Sequence, residues 1–261
     1  MAALVLVLSF LAAGGASGPR ERQAGIDVSR FERHIGWARV AGSGVDFAFV
    51  QASRGRGDDC TVKAWTCGPD RFYAFNYRRA REEGLRVGPY HRAFAGGRGV
   101  TGARRDARAE ALVFIRRVGR LQPGDLRPAL DFETPFGGLG ERALRAWIRA
   151  WSARIEGALG ARPIIYTNAS SWRLTGDARG FARAGHPLWV AHWGVASPSL
   201  PAAAWDGRGW SVWQYTNAGR VPGIRGRTSL NRLAVPYSEI SVRSAGPTSR
   251  ASPRRRVRRR R

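Results

Sequence analysis

Asp131 and Glu133, in the stretch "RPALDFETPFGG" (127–138), are the residues whose type and spacing could do chemistry. Residues i and i+2 of a β-strand point to the same face, so a strand through this apolar run sets the two carboxylates side by side. Two adjacent negative charges repel, and the pair is tolerable where one carboxyl keeps its proton. A proton donor beside a carboxylate is the equipment of general acid–base chemistry. The plainer alternative is that Asp131 accepts hydrogen bonds from the following turn while Glu133 is solvated. The elements around the pair have to decide between the two.

Short β-rich or apolar runs bounded by Gly, Pro or Asn predict strands at residues 25–29, 46–53, 86–94, 127–133 and 162–168. Helical periodicity fills the gaps. Leu144, Trp147, Ile148, Trp151, Ile155 and Leu159 recur at three- and four-residue spacing with Gly160 as a stop, and Ala107, Ala111, Phe114, Ile115 and Val118 trace another apolar face. Three further strands, at 186–193, 210–216 and 228–234, follow with little helix between them. The expected fold is α/β, a single modified (β/α) barrel over residues 24–237, with about five βα units followed by three strands. Barrel sites lie at the carboxyl ends of the strands, where Asp27, His91, Glu133, Tyr166, Trp193 and Gln214 fall. Tyr90, Trp189, Trp213 and Tyr215 stand nearby. Aromatic faces beside carboxylates suit a sugar, because rings stack on its C–H faces while acids bond its hydroxyls and protonate a glycosidic oxygen. Side chains alternate along a strand, so about half of these aromatics belong to the core.

Composition bounds the setting. The chain has 261 residues and a formal charge of +25, and of its 44 basic residues one, Lys63, is lysine. Residues 1–18, "MAALVLVLSFLAAGGASG", read as a secretory leader, an apolar run ending in small residues that is too short to span a bilayer, though without the usual basic start. Export and a cell-envelope setting are therefore expected. Cys60 and Cys67 have no histidine near enough to complete a zinc site; in an exported protein they read as a local disulfide, worth roughly 2.5 kcal/mol by loop closure. Neither a metal nor any other cofactor is implied. Seven of the last eight residues are arginine, so 238–261 reads as a disordered polycationic tail. Arg243 to Arg261 contribute nine arginines and no acid, and removing them leaves +16, so the body is basic as well. Anionic envelope polymers are the partners this charge implies. With no recognised module, charge alone does not support specific nucleic-acid binding.

The ordered set "GIDVSRF", "FAFVQAS", "NYRRAREEGLRVGPYHRAF", "ALDFE", "PIIYTN", "PLWVAHW" and "WSVWQYTNAGRVPGI" resembles family 25 of the glycoside hydrolases, the lysozymes, from about Gly25 to Pro236. The resemblance implies an N-acetylmuramidase that cuts the β-1,4 bond between N-acetylmuramic acid and N-acetylglucosamine in peptidoglycan with net retention; a monomer is expected. It implies Glu133 as general acid/base, Asp131 as the neighbour that orients or supports the reacting sugar, and Asp27 as a further carboxylate. Tyr90, His91, Tyr166, Trp193, Trp213 and Gln214, by their places around the strand ends, are the candidate substrate-binding residues. Three positions depart from the family's pattern. Ser229 stands where an aspartate is usual, Arg54 where a glutamate is frequent, and Arg92 follows "YH" where the family has phenylalanine. A missing carboxylate and two added cations work against a protonated acid, so activity weakened, shifted to acidic pH or lost is the expectation. The alternative function is an impaired peptidoglycan-binding protein that retains the aromatic groove.

Overall fold

The computed structural model describes residues 23–57 and 67–243. The leader read at 1–18, Cys60 and the tail from residue 244 onward lie outside the described residues. The strands are β1 (Ala24–Val28), β2 (Phe47–Arg54), a two-residue β3 (Gly68–Pro69), β4 (Arg86–Arg92), β5 (Ala129–Asp131), β6 (Ile164–Thr167), β7 (Leu188–Ala191), β8 (Val212–Gly219) and β9 (Thr228–Leu233). Eight of them close into a barrel in the order β1-β9-β8-β7-β6-β5-β4-β2, with β1 pairing β2 and β3 appended outside. All neighbours run parallel except β9, which lies antiparallel between β8 and β1. The expected modified barrel is therefore observed, and its departure from the regular pattern is this inverted last strand.

Helices α1 (Trp37–Ala41), α2 (Tyr73–Glu82), α3 (Gly99–Val118) and α4 (Glu141–Leu159) wrap one side. The other carries only the short α5 (Ala169–Arg173), α6 (Gly180–Arg183) and α7 (Pro201–Asp206). The periodic positions of α4 are its buried ones: Leu144, Trp147, Ile148, Trp151 and Ile155 all face the sheet. Gly160 ends the helix with φ 68°, a left-handed conformation that glycine adopts without a Cβ penalty.

The barrel has two apolar layers, set by the two-residue period of its strands. Phe47, Phe49, Ala129, Ile164, Trp189, Val212 and Leu233 fill the interior. Ile26, Val28, Leu130, Phe132, Trp147 and Trp151 form the layer between strands and helices. Gly25 belongs to the interior face, where the ring of Phe47 occupies the space a Cβ would need. The boundary expected at residue 238 is corrected. Helix α8 (Tyr237–Ile240) carries Ile240, fully buried with Phe47, Leu126 and Leu233, and Ser241 bridges to Leu126. The body thus extends through Arg243, because an apolar side chain inside the otherwise polar run plugs the barrel floor.

Candidate active site

Strand parity decides which of the expected residues meet. Ala129 is interior, Leu130 and Phe132 lie in the outer layer, and so Asp131 and Glu133 point together into the mouth. Asp131 is 9% exposed, and its Oδ1 has no hydrogen-bond partner. The Glu133 side chain is more open, at 29%. Asn168, two residues beyond Tyr166 and on its face, donates from Nδ2 to Glu133 Oε2 at 3.4 Å.

Asp27 enters from β1. Its Oδ2 accepts from Gln214 Nε2 and from Asn231 Nδ2, each at 2.8 Å, and Ser229 is its register partner on β9. The Tyr166 hydroxyl donates to Gln214 Oε1 at 3.1 Å, as does Trp193 Nε1 at 2.9 Å. Trp189 Nε1 donates to Asn231 Oδ1 at 2.8 Å. Every polar atom of the Gln214 and Asn231 amides named here is therefore committed to holding Asp27 or an aromatic rim residue. Trp193 itself is 47% exposed, an indole laid open at the edge. Tyr90 faces the same mouth, its hydroxyl accepting from Gln51 Nε2 at 3.3 Å.

Arg92 binds the site together. Its Nε stands 3.7 Å from both Asp131 Oδ2 and Glu133 Oε1. Nη1 donates to the carbonyls of Ala93 and Glu133, and Nη2 donates to that of Thr134, at 2.9, 3.0 and 2.9 Å. One guanidinium thus fixes the backbone that carries Glu133 as well as offsetting the pair's charge. Arg54 comes to the mouth through a register shift between Gln51 and Ser53, which places it opposite Arg92.

Two expected substrate contacts are corrected. His91 and Trp213 each sit one residue from an inward neighbour, Arg92 and Gln214, so the pleat sends them outward. His91 is fully buried, with Nδ1 2.8 Å from Ser53 Oγ and Nε2 2.7 Å from Glu110 Oε2, and stacks on Trp151. Burial lowers its pKa to about 3 and raises that of Glu110 well above the carboxylate range, each shift favouring the neutral form. Trp213 is 2% exposed and donates to the His192 carbonyl. Asn168 and the anchoring use of Arg92 are what the sequence did not declare. Counting in twos from Tyr166 would have found Asn168.

Burial raises the Asp131 pKa well above the ordinary carboxylate value; Arg92 opposes the shift, while the charges of Glu133 and Asp27 add to it. Burial also raises Asp27 to about 6, against the hydrogen bonds from Asn231 and Gln214. The folded chain therefore holds the Asp27 proton more tightly than the unfolded one, so its effect on stability is unfavourable and grows as pH rises from about 4 to about 6, then levels off. Asp27→Asn is expected to remove that slope, raising stability at pH 7 by about 2–3 kcal/mol relative to pH 4 when compared with the parent. Urea unfolding at the two pH values measures it. Parallel pH dependence in parent and variant would show that folding leaves the Asp27 pKa unshifted.

Carboxylates grouped at the carboxyl mouth of an α/β barrel, with an exposed indole at the rim, define the class: a barrel glycoside hydrolase. The model for "Glycosyl hydrolases family 25" matches residues 26–224. Lysozyme M1 of Streptomyces globisporus is 35% identical over 235 residues, covering 84% of this chain and 74% of that protein. The N,O-diacetylmuramidase of Chalaropsis sp. is 28% identical over 204 residues, covering 74% and 88%. The crystal structure of the bacterial lysozyme from Streptomyces coelicolor superposes with a TM-score of 0.70 at 31% identity, covering 85% of this chain and 96% of its own. The chain belongs to glycosyl hydrolase family 25.

Proposed function

We propose that the protein is an exported muramidase, hydrolysing the β-1,4 bond between N-acetylmuramic acid and N-acetylglucosamine in peptidoglycan. The observation that carries this is the placement of Asp131 and Glu133 on one pleat face at the mouth, within reach of Asp27 and a rim of aromatic and amide side chains. Glu133, the more open of the pair, delivers a proton to the glycosidic oxygen as the bond to the anomeric carbon breaks, and then takes one from the incoming water. Burial favours the neutral form of Asp131, with Arg92 opposing and the charges of Glu133 and Asp27 adding, so Asp131 supports the reacting sugar while Glu133 handles the proton. Asp27, Tyr166, Trp193 and Gln214 line the sugar site with Tyr90. Digestion of purified peptidoglycan, with mass analysis of the new ends, tests the reading. Reducing N-acetylmuramic acid supports it, while reducing N-acetylglucosamine would assign a different bond and no cleavage would leave a wall-binding protein.

The basic surface and tail hold the enzyme on anionic envelope polymers, and it works as a monomer. Deleting Ser252 to Arg261 is expected to weaken adsorption to anionic walls and flatten its salt dependence, because exposed charge is screened within about 10 Å at 0.1 M salt. Turnover of a small neutral glycan should hardly change, and its loss would make the tail part of the catalytic body. Cys67 is not a free thiol. Its proposed partner is Cys60, seven positions earlier in the sequence.

A further inference from the structure

Beside the catalytic mouth, on the rim formed by the loop after β1 and the segment leading into α2, lies a pocket of about 460 Å³. Arg30, Phe31, Arg33, Arg71 and Phe72 line it, and no carboxylate is among its described lining residues. Among the described residues, two acids of these segments are already engaged. Asp70 is fully buried beneath, 3.9 Å from Arg30 Nε, with its Oδ1 accepting from the Phe72 amide. Glu32 caps the Ser29 amide and hydroxyl at 2.7 and 3.0 Å.

The loop is held in shape. Buried Asn76 accepts from the Ile35 amide and Trp37 Nε1, and its Nδ2 donates to the Arg33 carbonyl at 2.6 Å. That carbonyl belongs to a residue at φ 57°, a left-handed conformation costly for a side chain as large as arginine. Phe31 is 61% exposed, an apolar ring that the protein itself leaves uncovered. The Arg71 guanidinium lies 4.8 Å from the centre of the Phe72 ring.

A row of cations and rings links the pocket to the cleft: the Arg54 guanidinium lies 6.0 Å from the Phe31 ring and 5.1 Å from that of Phe94, and the Arg92 guanidinium lies 5.2 Å from the same Phe94 ring. Arg92 in turn touches Asp131 and Glu133. Cations and rings therefore alternate from the reacting centre out to the pocket.

We propose that this pocket takes an anionic substituent carried by the glycan, the carboxylates of the stem peptide on N-acetylmuramic acid, while the strand lies in the cleft. The inference rests on the muramidase reading. A substituent attached to a sugar at the carboxylates must pass over an adjoining rim, and this rim offers guanidinium forks matched to planar carboxylates and ring faces for aliphatic side chains. An untethered polyanion would have no reason to be read so close to the reacting centre.

The test compares defined glycan oligomers bearing stem peptides with free carboxylates against the same oligomers with those carboxylates amidated. The parent is expected to prefer the free acid by about tenfold in kcat/KM at low salt. In the double variant Arg33→Gln/Arg71→Gln, which changes two surface side chains, the ratio should fall to about one. Equal rates on both oligomers with the parent, or a preference that survives in the double variant, would overturn the proposal. Competition by soluble polyglycerol phosphate in the parent alone, without any carboxylate preference, would reassign the pocket to a phosphate polymer and likewise overturn it. Calorimetric titration of the free stem peptide reads the pocket without cleavage. Binding by the parent and not by the double variant supports the pocket even if neither oligomer is cut, a result that would sink only the muramidase reading.

Discussion

Glu133→Gln is expected to lower peptidoglycan hydrolysis by about 10²–10⁴-fold, the range that general acid–base catalysis supplies. Glutamine has the size of glutamate and can still accept from Asn168 Nδ2, which donates to Glu133 Oε2. The carbonyl of residue 133 remains available to Arg92 Nη1. The variant keeps the geometry and loses the transferable proton. Binding to insoluble wall should persist, so turnover and adsorption separate cleanly. Digestion at the parent rate would show that another group is the acid. Asp131→Asn should also slow turnover, since the buried pair would then hold one titratable carboxyl instead of two.

Trp147→Ala should cost about 3–5 kcal/mol of stability, the usual penalty for emptying a fully buried indole site. At roughly 2–4 °C per kcal/mol for a body of this size, the melting temperature should fall by about 6–20 °C. Trp147 packs against Phe132, with ring centroids 5.7 Å apart, and donates from Nε1 to Asp106 Oδ2 at 2.7 Å. Asp106 also accepts from the Gly96 amide and pairs with Arg56. The tryptophan thus pins Phe132 outward, and with it the inward aim of its two neighbours, Asp131 and Glu133. Trp147→Phe, which keeps most of the packing, should lose less than half as much. A thermal scan giving the alanine variant a melting point within about 2 °C of the parent would mean that the layer behind β5 repacks without strain.

Much of this was legible in the chain because the physics is local. The strands lie within a few residues of the runs bounded by Gly, Pro and Asn, and α4 buries the positions its period picks out. The inward pair Asp131 and Glu133 follows from the pleat alone. His91 and Trp213 went wrong for the same reason: an apolar or aromatic run does not declare its parity, and both neighbours of a true site residue look eligible. Parity there is set by which side chains reach partners across the barrel, as Gln214 reaches Asp27. The inverted β9 was hidden for a related cause. An alternating strand reads alike in either direction, and its orientation emerges only from the ladder it joins. Ile240 was lost in a polar context, since one apolar residue makes no pattern.

The inverted strand also sets when the site can exist. Asp27 lies near the start of the body, yet the two groups that hold its carboxylate come 187 and 204 positions later. Contacts so distant along the chain form late, after most of the loop-closure entropy has been lost, and a chain emerging from the ribosome cannot make them until β9 is complete. A product truncated between Gly219 and Thr228 would carry Asp131, Glu133 and most of the barrel, with β1 and β8 left as open edges and Asp27 without Asn231. Synthesis to the last strand is thus a checkpoint on activity: partial chains contain the acid pair but not the finished cleft.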